Sequence, residues 1–167
     1  MEPLSDDRVV FLDDVLDLSS VDVVDWGEVV QIRPKSISPQ QAKLDVSSRR
    51  EGMSPYLRDE MGSFHYRDNP RIQPLILLAQ KGWEITSHLR WADDLARHRK
   101  RGGAHGYDPR HVSMQGIFIA AGPRIRRGVV VPSFENIHVY DFLCAVLGVK
   151  PAPNDGDPAV TRGFLAY

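Results

Sequence analysis

Only one cysteine, Cys144, occurs in the 167 residues, which excludes an internal disulfide and any cysteine-built metal site. Threonine is nearly absent: Thr86 and Thr161 are the only two. Charge of either sign is not in excess, since 21 Lys and Arg face 22 Asp and Glu for a net −1. Nothing therefore points to a nucleic-acid polymer or an anionic membrane as a bulk partner. No apolar run approaches the ~20 residues needed to cross a bilayer. The opening Met1-Glu2-Pro3-Leu4-Ser5-Asp6-Asp7 is acidic and lacks the basic-then-apolar order of a signal peptide. Repeats and low-complexity tracts are missing too. What is present is a chain of one-domain length with 42% hydrophobic residues, enough for an ordinary core.

The most pointed stretch is Gly102-Gly103-Ala104-His105-Gly106-Tyr107-Asp108. Glycines permit positive φ and close approach, so a histidine set among three of them can be pushed into a shared space. In isolation, the plainer reading is a turn that happens to hold a histidine. Around it, Val9-Val10-Phe11-Leu12 and Val29-Val30-Gln31-Ile32 read as strands, the second ended by Arg33-Pro34. Ser38-Pro39 and Ser54-Pro55 are each suited to start a short helix. Leu75-Ile76-Leu77-Leu78-Ala79, the Lys81-Gly82 turn and Trp83-Glu84-Ile85-Thr86-Ser87 read as a β-hairpin. Residues 117–120 are apolar throughout, the pattern of a strand covered on both faces. Residues 135–147 predict a helix whose stripe is Ile137, Tyr140, Leu143, Cys144 and Leu147, closed by Gly148. Cys144 is expected to be buried, and the tail from Lys150 to be loop.

Other clusters have bland readings. Seven aspartates lie between Asp6 and Asp25, but the alternating spacing of a calcium loop is absent, and solvated loop carboxylates fit better. The basic run Arg97-His98-Arg99-Lys100-Arg101 reads as a solvated face; an electrostatic funnel for phosphate is the lesser alternative. His88 and His98 fall in polar segments and His138 sits off the apolar stripe of its helix, so all three are expected to be exposed. His111 follows His105 at a spacing that matches no common zinc arrangement.

From His105 onward the words of the sequence resemble a known family. They are Gly102-x-x-His105-Gly106-Tyr107-Asp108, Met114, Ile117-Phe118-Ile119-Ala120, Gly122-Pro123, Gly128-Val129, Phe134-Glu135-Asn136-Ile137, Val139-Tyr140 and Pro151-Ala152-Pro153-Asn154-Asp155-Gly156. Upstream, Asp25-Trp26-Gly27 and His65-Tyr66-Arg67-Asp68-Asn69-Pro70-Arg71-Ile72 fit as well. So many words in order are far more specific than a lone motif. The chain resembles the C-terminal part of the nucleotide pyrophosphatase/phosphodiesterase family in the alkaline phosphatase superfamily.

The resemblance implies an α/β fold: the C-terminal portion of an alkaline-phosphatase-type core (residues 102–167) plus its inserted α+β covering subdomain (residues 4–101). It implies hydrolysis of phosphodiester or nucleotide pyrophosphate substrates with two divalent metals, usually zinc. His105 falls on a ligand of the second metal, and Asp108 on a supporting position that orients the loop or the imidazole. Pro109 departs from the asparagine usual there, and Ser113 from a frequent acid. The family's nucleophile, its Asp-x-x-x-His pair and its Asp-His-Gly-Met motif are not found here, so one ligand of about six is expected. Met1 is in register with the end of that last motif. The expectation is a fragment of a hydrolase, inactive alone and completed by an N-terminal fragment; the alternative is a catalytically inert binding or interaction module. Intact relatives are typically periplasmic or extracellular. Strand 117–120 and the helix stripe would then want neighbours from elsewhere, so exposed apolar surface is expected.

Overall fold

The computed structural model describes residues 1–48, 51–97 and 102–166 and divides into two compact units, Met1–Gly116 and Ile117–Tyr167. The first unit runs through β1 (Glu2–Pro3), β2 (Val9–Phe11), β3 (Val21–Asp25), β4 (Val29–Pro34), α1 (Pro39–Ser47) and β5 (Met53–Leu57). It continues with β6 (Leu75–Ala79), β7 (Glu84–Thr86), α2 (His88–Ala96) and β8 (Gly103–Ala104).

Four strands form one antiparallel sheet in the order β3-β4-β6-β5. Every residue of β6 is buried, as an all-apolar run between two partners should be. Leu75, Leu77 and Ala79 join Val30, Ile32 and the helix residues Ala42 and Val46 in the larger core. Ile76 belongs instead to a smaller cluster with Met61 and Ile72. Each such aliphatic side chain contributes about 1.5–3 kcal/mol by leaving water. Helix α1 starts as its sequence predicts: the Ser38 hydroxyl accepts from the Gln41 N–H, and Pro39 occupies the first turn, where its missing donor costs nothing.

Two expectations for this unit need correction. Ser54-Pro55 begins no helix; both residues lie in β5, with Pro55 opposite Leu77. Strand β5 is at the sheet edge, the place where a strand tolerates a proline. The turn at Lys81-Gly82 exists, with Gly82 at φ 79°, but no hairpin forms across it. The Glu84 N–H donates to the Arg8 carbonyl, which draws β7 into a parallel pair with β2, Val10 opposite Ile85. A further strand, Val21–Asp25, runs antiparallel to β4.

Helix α2 is capped by the Ser87 hydroxyl, which accepts from the Arg90 N–H. Its Trp91 meets Phe11 edge to face and Arg90 lies over Trp26, while Leu89 and Leu95 face solvent. His88 is exposed, yet it stacks on Phe11 at 4.1 Å and its Nδ1 stands 3.2 Å from Asp13. Arg97 ion-pairs with Asp93; the rest of the basic run, from His98 to Arg101, lies outside the described residues.

The second unit contains α3 (His138–Leu147) and α4 (Pro158–Arg162). Its centre is a group of four rings, Phe118, Phe134, Phe142 and Phe164. Helix α3 ends at Gly148, which takes φ 72°, and Cys144 is buried, both as predicted. The buried face is not the predicted stripe, however. Asp141, Phe142 and Cys144 are inward, while Tyr140, Leu143 and Leu147 are 43%, 50% and 73% exposed. Phe142 is drawn into the ring cluster, and the Asp141 carboxylate accepts from the Asn154 amide; together these set the rotation of the helix. Residues 117–120 form no strand among the described residues, and Ile117 and Ile119 are 90% and 85% exposed. A strand requires a hydrogen-bonded neighbour, and none of the described residues provides one here. The tail is not all loop, because Asp157 caps α4 and Pro158 starts it.

Candidate functional site around His105

The glycine-rich stretch is held from both sides. Strand β8 pairs antiparallel with β1, Glu2 opposite Ala104 and Pro3 opposite Gly103, and the Leu4 N–H donates to the Gly102 carbonyl. The amino group of Met1 reaches the Ser113 carbonyl at 2.8 Å, so the first residues of the chain run along the loop that carries His105. A Cβ on Gly103 would come within 3.0 Å of the Met1 side chain and 3.4 Å of the Glu2 carbonyl, so the N-terminal residues pass close over this loop.

Ala104 and Tyr107 are buried and belong to the main core, whereas His105 and Gly106 between them are exposed. The loop is thus pinned at two points and bulges outward at the imidazole. Gly106 takes φ 100°, a conformation other residues rarely tolerate. Tyr107 is the deeper anchor: its ring is 3% exposed, and its hydroxyl donates to the Trp83 carbonyl at 3.0 Å. Such a pinned loop presents the imidazole with a small conformational cost on ligation.

Two carboxylates sense this histidine's surroundings. Glu28 packs beside the loop, its Cβ 3.7 Å from where a Cβ on Gly106 would stand. Burial pushes the Glu28 carboxyl above the usual range; its own backbone N–H opposes this, the Glu84 charge adds to it and His105 draws it back slightly. Asp108 is engaged with Arg110: its Oδ1 accepts from the Arg110 backbone N–H at 2.9 Å, and both carboxylate oxygens accept from the guanidinium. Those hydrogen bonds hold its carboxyl below the ordinary value. Arg110 also lies over the Phe64 ring at 5.3 Å, so Asp108 fastens the chain just after His105 to the 58–64 turn. The Asp108 side chain is 20% exposed, and its partner in the structure is the arginine.

His105 supplies an imidazole of the kind zinc favours. Among the described residues, no group of three or more His, Cys, Asp or Glu side chains converges to hold a metal ion. His111 lies exposed on the same loop, where its N–H donates to the Asp108 carbonyl, and His138 Nδ1 accepts from the Asp157 N–H. A polar cleft lined by Arg58, Asp59, Arg67, Asp68, Asn69 and Pro70 does not include His105. Sequence reading passed over Tyr107, Glu28 and Arg110 as parts of this neighbourhood. The available signals were a single acid ahead of the apolar run of β4 and an aspartate-x-arginine after the histidine loop.

Comparison with known proteins bears on this neighbourhood directly. The family model described as type I phosphodiesterase / nucleotide pyrophosphatase matches residues 1–108, a span that includes β1, Glu28 and the His105 loop. Bis(5'-adenosyl)-triphosphatase ENPP4 of Bos taurus is 35% identical over 167 residues, covering 99% of this chain and 35% of that protein. Ectonucleotide pyrophosphatase/phosphodiesterase family member 7 of Homo sapiens is 37% identical over 145 residues, 86% of this chain and 30% of that protein. The solved structure of human ectonucleotide pyrophosphatase/phosphodiesterase 5 superposes with a TM-score of 0.84 at 26% identity, covering 99% of this chain and 42% of that one. The chain spans about a third of the length of the curated relatives it matches.

Proposed function

The chain belongs to the type I phosphodiesterase / nucleotide pyrophosphatase family of the alkaline phosphatase superfamily, and on that premise we propose that it contributes His105 as one ligand of a two-metal phosphodiesterase or nucleotide pyrophosphatase site. In this reading residues 4–101 are the covering subdomain and residues 102–167 a segment of the catalytic core. Substrates are phosphodiesters or nucleotides, in keeping with the bis(5'-adenosyl)-triphosphatase name of one relative. The metals are zinc, and the remaining ligands and the nucleophile come from a further, N-terminal portion of the family's fold. When bound, such ions supply Lewis-acid polarisation of a phosphoryl oxygen and a lowered pKa for an attacking hydroxyl or water.

The observation that carries this reading is the exposed imidazole on a doubly anchored loop. Tyr107 sinks into the core on one side, β8 is tied to β1 on the other, and His105 projects between them. The role of the chain's own residues is placement. Tyr107 fixes the height of the loop, Gly106 lets it turn, and Asp108 with Arg110 fixes its exit. Asp108 acts on the loop rather than on the ring.

A graft tests it. The chain replaces its matched region in bovine ENPP4, and hydrolysis of diadenosine triphosphate is followed. The graft should turn over, and His105→Ala should lower kcat/KM by about 10²–10³-fold, the scale of losing one charge-stabilising group. Full turnover by the His105→Ala graft would remove that residue from the site.

A further inference from the structure

The polar cleft beside the 58–64 turn is shaped by its local sequence. Arg58 enters that turn with its N–H donating to the Pro74 carbonyl at 3.0 Å. His65 leaves it at φ 51°, the one non-glycine residue with positive φ among the described residues, and its N–H donates back to the Gly62 carbonyl. A side chain held in that region is strained, and such strain collects at places where ligands are held. The reversal brings residues 67–70 to the same cleft as Arg58 and Asp59, with a volume of about 460 Å³. Asn69 then closes a tight turn, its Oδ1 accepting from the Arg71 N–H at 2.9 Å.

The hydrogen-bonding capacity of this cleft is only partly used. Arg67 is spent on Asp68, with Nε to Oδ1 at 2.9 Å and Nη2 to Oδ2 at 3.4 Å. Arg58 spends one N–H, at 3.4 Å, on the Ile72 carbonyl. The Asn69 oxygen is taken by the Arg71 N–H, which leaves its amide N–H groups as donors. The exposed Asp59 carboxylate accepts no hydrogen bond among the described residues. Free donors therefore stand beside a free acceptor, and Arg58 and Arg67 balance Asp59 and Asp68 in charge. An anion drawn by Arg58 would be repelled by Asp59 and Asp68, and a cation would meet the reverse. An apolar ligand would strip water from charged groups and return no hydrogen bonds. A hydroxyl both donates and accepts, so two neighbouring hydroxyls satisfy Arg58 and Asp59 together. We infer that this cleft binds the vicinal hydroxyls of a carbohydrate. His105 takes no part in this binding.

Saturation-transfer NMR with methyl β-D-glucopyranoside and methyl α-D-mannopyranoside reads binding from the ligand, whatever the association state of the chain. One glycoside or both should show saturable transfer, with half-saturation at about 1–10 mM, the scale for a ligand of roughly a dozen heavy atoms. Asp59→Ala removes an exposed side chain that has no hydrogen bond to lose. It should leave the melting temperature unchanged and weaken glycoside binding by about 10-fold or more, as loss of a hydrogen bond to a charged group does. Arg58→Met should weaken it to a similar extent. No saturable transfer from either glycoside would overturn the inference, and so would transfer that survives unchanged in Asp59→Ala. Inorganic phosphate serves as the contrasting probe. Saturable broadening of its phosphorus signal that is lost in Arg58→Met, without glycoside binding, would make the cleft an anion site and overturn the inference equally.

Discussion

Tyr107 shows how one residue can decide where its neighbour His105 stands. Its hydroxyl satisfies a backbone carbonyl in a buried setting, and an interaction of this kind contributes about 0.5–1.5 kcal/mol. Tyr107→Phe should cost that much in urea unfolding, whereas Tyr107→Ala should cost about 3–5 kcal/mol by analogy with other aromatic truncations in cores. Glu28 makes the opposite kind of statement. Its carboxyl is raised by burial, so the folded state disfavours the charged form. The fold is then relatively more stable below the unfolded carboxylate range and loses that advantage as pH rises through it to the folded value. Glu28→Gln should raise the melting temperature at pH 7 and leave it unchanged well below pH 4, about the ordinary carboxylate range. An unchanged difference across pH would show that the charge is not the cause. Gly156 is fixed by shape, since a Cβ there would lie 2.3 Å from the buried Asp141 Oδ2 and 2.8 Å from the Ile137 carbonyl. Gly156→Ala should therefore destabilise the second unit, read out as lost amide protection in α3.

Among the elements, those with local signals were legible and those defined by partners were not. Ser38-Pro39 announces α1, Gly148 announces the end of α3, and the apolar run of β6 announces a central strand. Each rests on chemistry contained within a few residues. The hairpin expected across Lys81-Gly82 failed because the choice of partner for β7 lies with Arg8, far away in sequence. The stripe of α3 failed because Asn154 and the phenylalanine cluster, not periodicity alone, set its rotation. The glycine-flanked His105 stands out in the sequence as a candidate, while Glu28 and Arg110 reach its neighbourhood only through the fold. Helix α2 turns the usual logic outward, with Leu89 81% exposed. Leu89→Lys should change stability by less than about 0.5 kcal/mol, as surface substitutions do. Ser87→Ala, which removes the cap, should cost about 1 kcal/mol. Equal losses for both would mean that the face of Leu89 is covered in solution.

At the scale of the whole molecule, the exposed apolar side chains and the lack of converging metal-ligating side chains among the described residues lead to one expectation. Ile117, Ile119, Val130, Leu143 and Leu147 are each at least half exposed, and bare apolar area of this kind drives association. Light scattering at micromolar concentration should report oligomers or poor solubility, and a cooperative monomer would count against surfaces that await a partner. Catalysis follows the count of ligands. A zinc site takes three or four well-placed side chains, and among the described residues His105 has no such company. With no assembled site, a hydroxyl nucleophile keeps its ordinary high pKa and no covalent intermediate forms. The isolated chain with added zinc should accordingly hydrolyse bis(p-nitrophenyl) phosphate no faster than zinc alone. Turnover by the isolated chain that vanishes on His105→Ala would show a site assembled from its own copies, and the placement of the missing ligands in a further portion of the fold would be wrong.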